Sequence, residues 1–242
     1  MTLILVISAA VFAAGVLRGL TGFGFALAAV PAMSFAVTPA RAVTIAIVLQ
    51  CLVGLRDLII MRADLDRQAL ALLSAGAVVG TPFGIFALTQ LSPDAMRIVL
   101  SLVVIGGLVA LLARVELSPG RAPALGAGLL SGLFSGLAAM PGPPAIAYFL
   151  GRSAKAVTTR ASLMVFFFIT SLMAMPGLLL AGRLDGDVVM LAATALPALF
   201  AGTWAGGRIF ARLGEGGYRN AAIGLLALTA FATGIRGLAA YL

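Results

Sequence analysis

Arg18-Gly19-Leu20-Thr21-Gly22-Phe23-Gly24 lies inside an apolar stretch running from 3 to 37, and Ser135-Gly136-Leu137-Ala138-Ala139-Met140-Pro141-Gly142-Pro143-Pro144 lies inside another, from 124 to 150. A helix needs about 20 apolar residues to cross ~30 Å of hydrocarbon. Both stretches exceed one plain crossing, and each carries glycine or proline where a continuous helix is weakest. They read as helices broken inside a membrane. Lipid offers no partner to the backbone groups a break frees, so each break requires surrounding protein or a water-lined cavity.

The rest of the chain agrees. Of its 242 residues, 62% are hydrophobic and 10% charged, against roughly 45–50% and about 25% in soluble domains. Polar punctuation leaves six further apolar runs, 42–60, 69–90, 96–113, 157–181, 188–207 and 217–240. The expected fold is an all-α polytopic membrane protein of about eight transmembrane helices, with 1–242 a single transmembrane domain and the first and fifth helices broken. A cleavable signal would have an apolar region of only ~7–15 residues, so the amino terminus is expected to be a retained span in a bacterial-type inner membrane.

Connections near 38–41, 89–97, 151–160 and 208–219 are expected on one side, carrying Arg41, Arg97, Arg152, Lys155, Arg160, Arg208, Arg212 and Arg219. The other group carries Arg62, Arg67, Arg114, Arg121, Arg183 and Arg236. The small basic excess makes the first group cytoplasmic and puts both termini outside.

Composition also excludes functions. Cys51 is the only cysteine and there is no histidine, so neither a disulfide nor the commonest metal ligand is available, and no metal or cofactor is expected. The net charge of +8 is spread as single arginines at the ends of apolar runs, unlike the basic stripe of a nucleic-acid binder. An intramembrane enzyme would need a nucleophile with a base, paired carboxylates or metal ligands within the spans. No catalytic residue is assigned.

The chain echoes itself. Ala40-Arg41-Ala42-Val43-Thr44 returns as Ala154-Lys155-Ala156-Val157-Thr158, and Gly80-Thr81, Gly84 and Arg97 return as Gly202-Thr203, Gly206 and Arg219. Two four-helix repeats, about 3–113 and about 124–240, are expected to run in the same direction, with Arg41 and Lys155 on one side.

The breaks carry chemistry suited to an anion. Glycines let backbone N–H groups approach, a half-helix starting after a break presents its positive end, and Thr21, Ser131 and Ser135 add hydroxyl donors. Arg18 supplies formal charge, which at mid-membrane costs about 2.5–3.5 kcal/mol and so faces a bundle interior or cavity. Plainer readings stand beside these: Arg18 as a snorkelling side chain or a clamp on carbonyls, and Gly15, Gly19, Gly22 and Gly24 as close helix packing. Arg160 reads either as an interfacial anchor or as part of a funnel, and Phe166, Phe167 and Phe168 as packing. Asp57 reads as an ion-paired or interfacial residue beside Arg56 at a helix end, with a coupling role as the alternative, and no buried carboxylate stands out as a proton relay. An inside-negative potential then favours anion export.

The order Arg18-Gly19-x-Thr21-Gly22-Phe23-Gly24 with Pro31, then Ser135-Gly136, Pro141-Gly142-Pro143-Pro144 and Arg160, resembles the sulfite exporter TauE/SafE family of membrane permeases over essentially the whole chain. The resemblance implies a permease for sulfite, organosulfonates or related sulfur-containing anions. It implies that Arg18, Thr21, Gly22, Gly24, Ser135, Gly136, Pro141, Gly142 and Pro143 lie at the transport site. The second half lacks the consecutive glycines of many members, and Phe25 stands where many have glycine. With the reading from the residues, the expected substrate-binding set is Arg18, Gly19, Thr21, Gly22, Phe23, Gly24, Ser131, Ser135, Gly136, Met140, Pro141, Gly142, Pro143 and Arg160. The expected function is a secondary transporter, an exporter of such an oxyanion, with an anion channel lined by the same residues as the alternative. Expected partners are the anion and the bilayer, not nucleic acid, with a homodimer left open.

Overall fold

The computed structural model describes the backbone of residues 2–113, 115–152 and 155–239, and the side chains of these except 108, 110–112 and 213–239. Arg114 and Ala154, and the side chains of Arg219 and Arg236, lie outside the described residues. The described chain is helical: α1 (Thr2–Thr21), α2 (Phe25–Met33), α3 (Pro39–Met61), α4 (Arg67–Gln90), α5 (Pro93–Leu112), α6 (Arg121–Ala138), α7 (Gly142–Gly151), α8 (Ala156–Leu180) and α9 (Gly186–Ala239). Local signals set several boundaries. Pro39 opens α3, Pro93 opens α5, and the Asp66 carboxylate accepts from the Ala69 N–H at 3.0 Å to cap α4.

Among the described residues, five helical stretches are long and apolar enough to cross a membrane: α1, α3, α4, α8 and Gly186–Arg212 of α9. Large apolar side chains such as Leu5, Phe83, Phe86, Leu102 and Leu179 point outward and exposed, as lipid requires. The two long segments are each split, into α1 with α2 and α6 with α7, as the sequence predicts. The seventh and eighth segments differ from expectation and form one helix, α9, through 208–219. That stretch holds Gly214, Gly216 and Gly217 but no proline. Glycine weakens a helix by about 1 kcal/mol without removing a hydrogen-bond donor.

Contacts between helix ends overturn the expected sidedness. Arg41, at the start of α3, pairs with Asp185 at 3.4 Å and Asp187 at 2.9 Å, at the start of α9. Asp66, just past the end of α3, pairs with Arg152 at the end of α7 at 2.9 Å, and its backbone N–H donates to Ser162 Oγ of α8 at 2.9 Å. Arg41 and the segment holding Arg152 and Lys155 therefore lie at opposite ends of α3, not together. The reason is that each break reverses the chain. The end of α1 meets the end of α3 through Arg18 and Asp57, so α2 must return toward the starting end. Likewise the Leu117 N–H, ahead of α6, donates to the Ala147 carbonyl of α7 at 3.1 Å.

Glycine holds the helices together across the chain. Gly76, Gly80 and Gly84 of α4 interleave with Gly128, Gly132 and Gly136 of α6, and a Cβ at any of them would strike the facing backbone. Gly19 of α1 and Gly202 and Gly206 of α9 meet the facing backbone in the same way, and a Cβ at Gly15 would be in closer than ordinary contact with Leu199 and Gly202. In both pairs residue numbers rise together, so the helices are parallel. The approach is that of small-residue membrane packing, driven by dispersion and backbone contact in the absence of a hydrophobic gradient.

Candidate functional site

The first reversal begins where α1 runs out of side chains that tolerate helix. The Gly22 N–H closes the last turn on the Arg18 carbonyl at 2.8 Å, and Gly22 and Gly24 adopt φ of 82° and 91°, the left-handed region that glycine enters without strain. The Thr21 hydroxyl lies 2.8 Å from the Leu17 carbonyl and 2.6 Å from the Phe23 carbonyl, and accepts the Phe23 N–H at 3.3 Å. Thr21 thus ties the turn together. Phe23 and Phe25 are fully buried beside it.

The second reversal repeats that geometry. The Ala139 N–H closes on the Ser135 carbonyl at 2.8 Å, Ala139 takes φ of 59°, and the Met140 N–H reaches the Phe134 carbonyl at 3.1 Å. Ala139 corresponds to Gly22, Ser135 to Arg18 and Gly136 to Gly19. Pro141, Gly142 and Pro143 then start α7, with Pro143 packed on the Gly107 backbone and Gly142 facing Phe167.

Each reversal is braced by a helix from the other half of the chain. Arg160 of α8 donates through Nε and Nη2 to the Gly19 carbonyl at 2.9 and 2.5 Å, and its guanidinium lies 4.5 Å from the Phe210 ring centroid. Gln50 of α3 donates to the Ala139 carbonyl at 3.3 Å. These carbonyls end their helices, where intrahelical partners are lacking. Gln50 and Asp57 are seven residues apart on α3, so the two braced ends are staggered by roughly 10 Å.

Arg18 and Asp57, each 1% exposed, form an ion pair at 2.5 Å. Asp57 is ion-paired, as one reading of the sequence had it, but buried and with Arg18 as its partner rather than at an interface beside Arg56. The sequence held the signal, an aspartate 18 residues into an apolar helix. Arg18 Nε and Nη1 have no hydrogen-bond partner among the described residues, and the same holds for the buried hydroxyls of Ser131, Ser135, Ser171 and Thr203.

A cavity of about 320 Å³ opens between α3, α8 and α9, lined in part by Arg56, Asp57, Arg160, Thr203, Trp204 and Arg208. Of the expected site residues, only Arg160 lines it. Arg18, Gly19, Thr21, Gly22, Phe23, Gly24 and Arg160 gather at the first reversal, whereas Ser131, Ser135, Gly136, Met140, Pro141, Gly142 and Pro143 belong to the second. Gly19 serves the packing role, pressed on Thr203 and Gly207, while Gly22 and Gly24 serve the turn. Arg56, Thr203 and Arg208 also line the cavity without being in the expected set: the arginines, near helix ends, read as topology markers, and Thr203 as part of the repeat echo. Among the described residues, no group of three or more His, Cys, Asp or Glu is placed to hold a metal ion.

These features can be set beside known proteins. One curated relative, the "Probable sulfite/organosulfonate exporter TauE" of Cupriavidus necator, is 30% identical over 168 residues, covering 67% of this chain and 66% of the relative. The chain thus aligns with just under two thirds of that protein. No solved structure matches. A family profile described as "Sulfite exporter TauE/SafE" matches residues 7–233, from early in α1 to near the end of α9. With its two buried helix reversals and its run of apolar spans, the chain belongs to the sulfite exporter TauE/SafE family, whose members are integral inner-membrane transporters.

Proposed function

We propose that the protein is a secondary carrier that exports a small sulfur-containing oxyanion, sulfite or an organosulfonate, using Arg18 and the two helix reversals. The observation that carries this reading is the state of Arg18: almost fully buried, neutralised by one carboxylate, with Nε and Nη1 lacking acceptors. A buried cationic donor without an acceptor costs more than the about 1–3 kcal/mol of a neutral group, and an oxyanion supplies the missing acceptors. The Ser131 and Ser135 hydroxyls offer neutral donors at the other reversal. The name of the Cupriavidus relative supports the substrate class.

Charge balance favours export. With Arg18 and Asp57 cancelling, the empty carrier is neutral at this point and the loaded one bears the anion's charge. An inside-negative potential then drives the anion out with about 2.3 kcal/mol per charge per 100 mV. The two halves are read as copies of one unit related by a two-fold axis in the membrane plane. The matched reversals, the crossed braces from Arg160 and Gln50, and the glycine register of α4 and α9 support inverted rather than same-direction repeats.

The test is flux of radiolabelled sulfite and a simple organosulfonate in proteoliposomes under an imposed potential. The parent is compared with Arg18→Ala, with Arg18→Ala/Asp57→Ala, and with Arg121→Ala as an exposed control. Saturable flux with counterflow, rising with potential and lost in both Arg18 variants alone, supports the carrier. Undiminished flux in the double variant removes Arg18 from the mechanism, and flux without counterflow indicates a channel.

A further inference from the structure

The cavity between α3, α8 and α9 lies outside the residues assigned to the reversals, apart from Arg160, yet it concentrates positive charge. Arg56 and Arg208 line it and form no ion pair among the described residues. Their guanidinium groups lie instead over aromatic rings, Arg56 at 5.9 Å from the Phe200 centroid and Arg208 at 4.5 Å from that of Trp204. Thr203 also lines the cavity, is 4% exposed, and its hydroxyl has no hydrogen-bond partner among the described residues. Asp57 is the acidic lining residue, and its carboxylate is held from behind by Arg18. At about 30 Å³ per water, the volume of about 320 Å³ holds a small hydrated oxyanion with room to spare.

We propose that this cavity is an anion-receiving site, in which Arg56 and Arg208 draw in a small oxyanion, Thr203 donates to it, and Asp57 competes with it for Arg18. The Asp57 carboxylate occupies on Arg18 the place that a sulfonate or sulfite oxygen takes. The pair therefore forms the closed floor of the cavity, which an arriving anion opens by exchanging partners. For its ligand class the proposal rests on the anion-carrier reading above, but its test does not require transport.

Cys51 is replaced by alanine and a reporter thiol is introduced at the exposed lining position 211, as Ala211→Cys. The reporter is labelled with anionic sulfonatoethyl and cationic trimethylammonioethyl methanethiosulfonates, each rate normalised to that of a free thiol. A cationic cleft raises the local anion concentration by a factor of at least about ten. The expected result is an anionic preference of about tenfold that falls several-fold in Arg56→Gln and in Arg208→Gln and rises in Asp57→Asn. Because Arg56 and Arg208 are exposed side chains, either variant suffices if Asp57→Asn does not fold. Equal rates for the two reagents, or a preference unmoved by both arginine variants, overturns the proposal. Parent preference retained without sulfite or sulfonate flux overturns the transport reading alone. Flux retained with no preference overturns the cavity alone.

Discussion

Asp57→Ala removes the carboxylate from the buried pair with Arg18 and leaves a guanidinium, 1% exposed, with no anionic partner. Breaking such a pair from one side costs about 3–5 kcal/mol, whereas replacing both partners with apolar groups is close to neutral. At roughly 2–4 °C per kcal/mol for a chain of this size, the single variant should lose on the order of 10 °C in midpoint. Arg18→Ala should lose a comparable amount, because it strands the carboxylate. The double variant Arg18→Ala/Asp57→Ala should recover much of the loss, short of what the cavity left by the two truncations costs. Thermal unfolding in one detergent, followed by tryptophan fluorescence from Trp204, provides the readout, and the four proteins form a thermodynamic cycle. A double variant as unstable as the sum of the singles would refute the pairing, and an Asp57→Ala midpoint within 2 °C of the parent, roughly 1 kcal/mol or less, would refute its burial.

Other positions give independent checks. Gly80→Val should prevent α4 from meeting α6, because any Cβ there strikes the Leu129 carbonyl; the expected outcome is loss of the monodisperse peak in size-exclusion chromatography. Gly126→Ala on α6 meets nothing within 4 Å and should gain about 0.5–1 kcal/mol in the same unfolding assay from helix propensity. Ala139→Gly should be neutral to stabilising, since a left-handed φ of 59° costs a non-glycine residue about 1–2 kcal/mol; Gly22→Ala at the matching place should lower the midpoint. Asp66→Asn weakens the half-buried bridge to Arg152, and about 1 kcal/mol should be lost, falling at high salt.

The breaks were legible because glycine and proline act locally: Gly22, Gly24 and Pro141–Gly142 govern the dihedrals at their own positions. Helix direction was not, since it depends on whether the chain crosses or returns at a break. The charge count treated Arg41 and Lys155 as equivalent because it assumed a crossing. Gly15 and Gly19 could be read as packing from their four-residue spacing, although their partners on α9 could not. Asp57 was misjudged because Arg56 is its neighbour in sequence, whereas Arg18, 39 residues earlier, is its neighbour in space. Ser131 and Ser135 are as buried as expected, and their lack of hydrogen-bond partners is visible only once the helices are assembled.

The glycine seams also impose an order on biosynthesis. α1 leaves the ribosome before α9 but completes its packing only against Thr203 and Gly207, on the order of 180 residues later, which at about 5–20 residues per second is a wait of roughly 10–40 s. Throughout that interval the groove of α1 that α9 will fill, and with it the Arg18 end of the helix, must be shielded by lipid or by the insertion machinery. A ribosome that stalls before α9 leaves a chain whose α1 has never met its partner, with its glycine groove still bare.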